Sequence, residues 1–518
     1  MKKSKTPTFP LELPLSVDAG QAKRLRAHFE VGRCFYNALL GEAMKRLRAM
    51  RADPAWQEAR SIPRARKQER KEAFSRLRQA YGFSEYALHE FAKAANCSWI
   101  ADHLDSMLAQ TLATRAYQAA NRVCLGKAKN VRFKSKGRGL DSVENKWNKS
   151  GLRFLLQPPE EGNQGWLLWG KDRLLALIDW DDPVVHHGLS HPVKYARLVR
   201  RKASSPKAQG ADSEGYRYYV QVMVEGIPHR KKKHTVGTEV IGLDVGPSTI
   251  AIVPQQGEAQ LVPFCEELQP DARAKRRLQR KLDRQRRANN PENYDEKGRV
   301  KKGGKRRLTW KNSKSYLATR RRLAAKERKL AAHRKSLHGR LVHHIIRRGN
   351  TIRTEKLSFK AWQKQYGKSV GRNAPGMFLE HLRRTVASTG GTLSEFPTHS
   401  TKLSQYCHGC QTYVKKPLSQ RWHHCACGIG PVQRDLYSAW LAAHLEYPNS
   451  TPSIAHEEWE GVDLRLRAAV EVLQQRANEG QALPRSVGMP RAGARLPKSP
   501  APNRQGLVYR HGRLETLG

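Results

Sequence analysis

The sequence predicts a multidomain α+β protein. A small β-barrel or sandwich carrying a helical insertion is followed by an α/β domain with a helical hairpin. Three observations predict it. Apolar residues recur at helical spacing from residue 18 to about 127, and β-type runs separated by turn residues follow from about 130. After the basic linker "HRKKKHTVGTEV", the strand–turn–strand pattern "EVIGLDVGPSTIAIVP" opens a second domain. At 518 residues the length prior is about three domains.

Residues 11–17 read as a short strand. Pro10, Glu12 and Pro14 break the apolar run, so it is not a signal-peptide core. The next segment starts at the helix-favouring Asp18 and repeats Leu25, Phe29, Val31, Phe35, Leu39, Met44 and Leu47 at helical spacing. Further amphipathic helices carry outer faces dense in Arg and Lys, as in "RKQERKEAFSRLRQAYGF". The strand candidates are "VRFKSKGRG", "GLRFLLQPPEEG", "GWLLWG", "LLALIDW", "VKYARLVRR" and "YRYYVQVMVEG". Residues 1–235 are therefore expected to form one domain, with the helical insertion over about 40–128.

In the second domain, residues 271–340 hold 27 Lys+Arg against 6 Asp+Glu, a local net of 27 − 6 = +21. Leu323, Leu330 and Leu337 fall at seven-residue spacing, continued by Leu341 and Ile345, and Leu278 and Leu282 make a shorter stripe. The pattern predicts a helical hairpin over about 269–347 with one apolar seam and a basic outer face. A solvated coiled-coil spacer is the plainer alternative. Gly349 ends the hairpin as a candidate cap, and the short strand "TIRTEKL" follows. Beyond 446 the sequence predicts one amphipathic helix, "EEWEGVDLRLRAAVEVLQQRANEG". The stretch "LPRSVGMPRAGARLPKSPAPNRQG" then has the composition of disordered chain.

Charge bounds the partners. The chain carries 96 Lys+Arg against 46 Asp+Glu, a net of +50, which is costly to fold unless a polyanion neutralises it. A large nucleic acid is the natural partner, because each phosphate neutralised releases counterions. No apolar run reaches the roughly 20 residues of a membrane helix, so no membrane partner and a cytoplasmic, nucleoid-accessible location are expected. Cys34, Cys97, Cys124 and Cys265 are scattered, as buried thiols would be. The other four cysteines cluster between 407 and 427 and point to a metal.

Three acids are candidates for chemistry. In "VIGLDVGPSTIAIV", strand alternation sets Gly242, Asp244 and Gly246 opposite Ile241, Leu243 and Val245, leaving room beside Asp244 for a metal and a phosphate. Glu355 lies on the short strand "TIRTEKL". Asp435 opens the apolar, Ala-rich helix of "GPVQRDLYSAWLAAHL", where capping alone is the competing explanation. Three carboxylates on separate elements of one α/β domain can hold two Mg²⁺ ions about 4 Å apart for phosphodiester hydrolysis. In "YCHGCQTYVKKPLSQRWHHCACGIG", Cys407 and Cys410 form a C-x₂-C knuckle, and Cys425 and Cys427 form a C-x-C. Paired knuckles are the ligand set of a structural zinc, with His423 or His424 as an alternative ligand for one cysteine.

With these residues in place, the chain resembles the TnpB and compact type V CRISPR effector superfamily of RNA-guided nucleases. The pieces that carry the resemblance occur in order: "GLDVGPSTIA", "RRLQRKLDRQRR", "TEKLSF", "TKLSQYCHGC" and "CACGIGPVQRDLYSA". They cover about residues 238–445. The resemblance implies an N-terminal wedge-like β-barrel with a helical recognition insertion. It implies an RNase H-like (RuvC) domain over 236–403 and 431–447, interrupted by a zinc ribbon at 404–430; the extra helix and basic tail at 448–518, read from the residues alone, lie beyond it. It assigns Asp244, Glu355 and Asp435 as Mg²⁺ ligands of one nuclease site, and guide RNA and double-stranded target DNA as partners. Two features depart from the family pattern: Arg353, polar where the strand is commonly apolar, and the C-x-C knuckle. The competing functions are a guided DNA-binding protein with little cleavage and a transposase-associated protein.

Overall fold

The computed structural model describes residues 7–137, 139–203, 210–301, 308–417, 419–446, 459–488, 507–510 and 513–516. The chain divides into two compact units, Met1–Arg230 and Lys231–Gly518.

The first unit begins with β1 (Thr8–Ser16), which buries Phe9, Leu11, Leu13 and Leu15 in strict alternation. Five helices follow: α1 (Ala19–Ala52), α2 (Pro54–Ser61), α3 (Lys67–Ala80), α4 (Glu85–Ala95) and α5 (Ser106–Cys124). Asp18 starts α1 through a capping box: its side chain accepts from the Gln21 N–H (2.8 Å), and the Gln21 side chain accepts from its own N–H (3.0 Å). Of the spaced apolar residues of α1, all but Met44, which is half-buried, lie in the core.

Strands β2 (Ser142–Glu144), β3 (Arg153–Leu156), β4 (Gly165–Trp169) and β5 (Asp172–Ala176) precede a short helix α6 (Pro183–Leu189). Strands β6 (Val193–Lys202) and β7 (Tyr216–Glu225) complete the unit. The seven strands form one antiparallel sheet ordered β2-β6-β7-β1-β5-β4-β3. It curls about β1, whose Thr8–Pro14 pairs with β7 and whose Leu15–Ser16 pairs with β5. Pro10, which has no N–H to donate, sits in the stretch that pairs on one side alone, and Pro14, where the second pairing begins, accepts from the Leu177 N–H (2.8 Å) through its carbonyl. The sheet is curled, with β3 against β6, and among the described residues no ladder joins β2 to β3.

Among the described residues of the predicted strand "VRFKSKGRG", 131–137 and 139, none is in a strand. The side chain of Asn37 on α1 donates to the Lys134 carbonyl and accepts from its N–H, each at 2.8 Å, and Arg33 adds a second donor at 3.0 Å. Helix side chains thus hold both backbone groups of Lys134, in the middle of the run, in place of a ladder partner.

The second unit opens with the meander β8 (Val240–Val245), β9 (Thr249–Pro254) and β10 (Gln260–Pro263). A helical hairpin follows, α7 (Ala272–Ala288) and α8 (Lys314–Arg348). Next come β11 (Thr351–Lys356), α9 (Phe359–Asn373), α10 (Pro375–Ser388), β12 (Thr392–Pro397) and α11 (Thr398–Thr401). The chain then makes β13 (Trp422–His423), β14 (Val432–Gln433), α12 (Arg434–Ala443) and α13 (Trp459–Asn478), and ends in a hairpin of β15 (Leu507–Arg510) and β16 (Arg513–Thr516).

The central sheet is ordered β10-β9-β8-β11-β12, with β11 parallel to both β8 and β12. One face, including Ile241, Leu243, Ile252 and Ile352, packs on Val342 and Ile345 of α8 and Phe378 and Leu382 of α10. The other face, including Ala251 and Val253, packs on α12 and α13. Every residue of α12 is buried, as expected of a helix apolar nearly all round. Gly242 lets it in: a Cβ there would overlap the Ala439 carbonyl and the Ala443 nitrogen.

The apolar seam of the hairpin becomes true core only toward the end of α8, at Leu337 and Ile345. Leu278, Leu282, Leu323, Leu330 and Leu341 are half-buried, and α7 buries no residue. Residues 483–488, the start of the stretch read as disordered, are ordered: Val487 is buried and the Trp422 indole donates to the Gly488 carbonyl at 3.2 Å. The rest of that stretch, 489–506, lies outside the described residues. Among the described residues, no helix is long and apolar enough to cross a membrane.

Gly242→Ala should destabilise the protein by about 3 kcal/mol, because helix backbone rather than a movable side chain opposes the new methyl. A melting experiment should show a fall of roughly 6 °C. Gly461→Ala, on α13 with nothing within 4 Å of the added methyl, should leave the melt unchanged or higher.

Candidate catalytic carboxylates and a four-cysteine cluster

Asp244 lies near the end of β8, on the face shared with Gly242 and therefore turned to α12. On the neighbouring parallel strand, Leu243 registers with Thr354, which sets Asp244 beside Glu355. Arg353, two residues earlier on the same face of β11, donates to the Ala443 carbonyl at the end of α12 (2.8 Å). The polar residue in this strand therefore has a structural role, capping a helix C-terminus, where a cation is favourable.

Asp435 is the second residue of α12 and is buried. It does not cap the helix. That role falls to Gln433, whose side chain accepts from the Leu436 N–H at 2.8 Å. The capping explanation for Asp435 is thereby removed.

The three carboxyl groups share one electrostatic environment. Burial pushes Asp244 well above the usual carboxylate range, and the charges of Asp435 and Glu355 push it further. Burial also raises Asp435, against the opposing charges of Arg434 and Arg421. Glu355 is raised by burial and partly restrained by hydrogen bonds from the Thr401 hydroxyl (2.5 Å) and the Leu403 N–H (3.3 Å). Acids that repel one another in a buried setting are a donor set suited to a cation. The carboxylates do not draw together as tightly as the cysteines do: among the described residues, the four sulfurs are the group whose ligand atoms all lie within 4.8 Å.

Sequence reasoning missed Arg434, Thr401 and Leu403. Arg434 is buried, stands 3.6 Å from Asp435, and is pinned by donating to the carbonyls of Gln420 (2.8 Å) and Pro417 (3.3 Å). Its place directly before Asp435 was the one available signal. Thr401 and Leu403 lie 46 and 48 residues from Glu355 and left none.

Cys407, Cys410, Cys425 and Cys427 bring their sulfurs within 4.8 Å of one another, with Cys407–Cys427 at 3.5 Å and Cys410–Cys425 at 3.4 Å. These separations are far beyond a disulfide bond. They are close to the about 3.8 Å edge of a tetrahedron with Zn–S bonds of about 2.3 Å. The cluster can hold zinc, and the C-x-C knuckle supplies both its sulfurs. Neither histidine is in the set. His423 stacks on Tyr437 (4.4 Å) and contacts Lys416, and His424 is exposed. Burial opposes ionisation of Cys410, but hydrogen bonds from Thr412 and Cys425 carry its thiol down to about 7.

No protein-family model and no curated protein matches the chain. Solved structures do. A Cas12f1–sgRNA–target DNA complex is similar over 85% of this chain and 99% of its own, at 11% identity and a TM-score of 0.43. A CRISPR–Cas12f ternary complex is similar over 84% of this chain and 86% of its own, at 12% identity and a TM-score of 0.27. Likenesses of this size leave function to be argued from the site itself.

Purified protein should carry about one zinc per chain by elemental analysis. Cys407→Ser or Cys425→Ser should release it and lower the melting temperature. The carboxylates make a second prediction. Their raised pKa values mean that the folded chain holds these protons more tightly than the unfolded chain. Stability is therefore lost as pH rises from the unfolded value of 3.8 through the higher folded values. In chelator at pH 8, Asp244→Asn should melt roughly 2–4 °C above wild type, and the gap should close toward pH 4.

Proposed function

We propose that this protein is an RNA-guided DNA endonuclease of the TnpB and compact type V kind, cutting target DNA at one RuvC-type site. The observation that carries the reading is the convergence of Asp244, Glu355 and Asp435 from two parallel strands and one helix, in a chain of net charge +50. The strand order β10-β9-β8-β11-β12, an antiparallel meander extended by two parallel strands, supports the RNase H-like reading. The first unit is then the wedge, with the helical recognition insertion over about 40–128, from the second half of α1 to α5.

Asp244, Glu355 and Asp435 would hold Mg²⁺, two ions in this reading, which when bound supplies charge neutralisation and an activated water for phosphodiester hydrolysis. The chain's own contribution is position. Thr401 and Leu403 fix one oxygen of Glu355. Arg434, immobilised by two carbonyls, offsets the acids without being free to pair with them fully. The zinc ribbon has a structural part and the guide RNA selects the sequence.

The test uses protein purified with its RNA, matched double-stranded DNA and Mg²⁺. Wild type should cut. Asp244→Ala and Asp435→Ala should each lower the cleavage rate by on the order of 10³-fold while target binding stays within about twofold. Equal binding with no cleavage by wild type would make the protein a guided DNA binder. Absence of co-purifying RNA would overturn the guided reading altogether.

A further inference from the structure

The second unit contains a cavity of 590 Å³, inside the roughly 300–1,000 Å³ range of small-ligand pockets. Val262, Phe264, Leu337 and Leu341 give it apolar walls, and none of the three acids Asp244, Glu355 and Asp435 lines it. Its polar groups come from the chain before β8, from the residues after β10, and from one face of α8.

The charge at its rim is unbalanced. Two acids line the cavity, and both are engaged: Glu266 with Arg476 and Glu267 with Arg340, each at 2.6 Å. Lys233 and Arg347 have no acidic partner among the described residues. Beside them stand three imidazoles. His234 and His343 stack with centroids 3.7 Å apart and planes 11° from parallel, and His344 contacts the Gln260 side chain at 2.7 Å. The Nδ1 of His234 is buried and has no hydrogen-bond partner among the described residues.

We propose that this cavity binds a phosphate group of a nucleic-acid strand, with Lys233 and Arg347 as the cations and the His234–His343 pair as a platform for the adjoining base. Guanidinium and ammonium groups without partners gain most from a phosphate, which offers several acceptors at once. A flat, paired ring surface at the wall extends naturally by stacking one more ring. A phosphate at a strand end and an internal diester present the same recognition chemistry.

The imidazoles give the site a proton signature. Burial first, then surrounding cations, hold all three below the usual histidine range. His234 faces Lys231, Lys233 and Arg347. His343 faces His234, Arg347 and His381 of α10. His344 faces Arg347, Arg348 and Glu258, the last opposing the shift. An anion seated among them offsets those cations and raises the histidines, so binding takes up protons and strengthens as pH falls from 8 to 6.

The experiment is photo-crosslinking of short 4-thiothymidine probes to the full-length protein, with the labelled peptides mapped by mass spectrometry. About 0.3 M salt screens diffuse attraction to the basic surface. Three probes separate the sources: the free nucleoside, its 5′-monophosphate, and a dinucleotide whose one phosphate is internal. At least one phosphorylated probe should label residues 233–234 or 337–347, more strongly at pH 6 than at pH 8. Lys233→Ala and Arg347→Ala should each reduce that labelling by about tenfold and leave labelling elsewhere unchanged. Lys233 is exposed on a linker, so its variant does not threaten folding. Pocket labelling by the nucleoside as strong as by the phosphorylated probes, labelling indifferent to both variants, or no labelling there overturns the proposal. Because the readout is binding, failure here leaves the nuclease reading untouched, and a cleavage failure leaves this one untouched.

Discussion

The α/β unit depends on one close approach, the backbone of α12 against β8 at Gly242. A side chain there would collide with the Ala439 carbonyl and the Ala443 nitrogen, and helix backbone cannot step aside as a rotamer can. The same contact fixes the site. Gly242 and Asp244 share a strand face two residues apart, so the helix admitted by the glycine arrives with its N-terminal end toward the aspartate. Arg353 and Gln255 then hold the Ala443 carbonyl at the other end, at 2.8 and 2.9 Å. One strand position sets the depth of α12, and two hydrogen bonds at its C-terminus set its rotation.

Holding α12 there brings a third carboxylate toward two others, which costs free energy in a buried setting. The cysteine ribbon braces the helix against that cost. Tyr437, two residues after Asp435, stacks on His423 and its hydroxyl accepts from the His408 N–H at 3.0 Å. His408 lies inside the first knuckle, between Cys407 and Cys410, and His423 lies just ahead of the second. A metal that closes the four sulfurs therefore also fixes the two histidines that grip the helix carrying Asp435. The four-cysteine cluster and the candidate carboxylate site are joined through one tyrosine.

The parts of this architecture legible in the sequence were those written in local pattern. Alternation placed Asp244 opposite the apolar face of its strand, helical spacing and Asp18 marked α1, and paired knuckles marked the sulfur cluster. What was not legible depends on residues distant in the chain. The "VRFKSKGRG" run has the composition of a strand, but Asn37 and Arg33, about a hundred residues earlier, take the backbone groups of Lys134 near its centre. Arg353 read as a departure from an apolar strand because the helix end it caps lies 90 residues away. Residues 483–488 read as disordered because their Pro and Arg content hid the single buried Val487 that anchors them. The curl of the first sheet is likewise absent from any one strand, since it arises where β1 changes partner.

The basic hairpin raises a different question of balance. α7 buries no residue, so little hydrophobic free energy holds it on α8. Across the hairpin run the ion pairs Lys275–Glu327 (2.5 Å) and Lys326–Asp271 (3.0 Å), all four side chains substantially exposed and screened by solvent, so each pair contributes little. Against them stands the mutual repulsion of a segment with a local net charge of 27 − 6 = +21. Phosphates laid along that face would cancel the repulsion and leave the ion pairs and half-buried leucines to act unopposed. By mass action, a polyanion that binds the formed hairpin better than the frayed one stabilises it. In the proposed reading, the cationic surface and the ordering of the helices beneath it would thus be one equilibrium, shifted toward the formed hairpin by the nucleic acid laid on it.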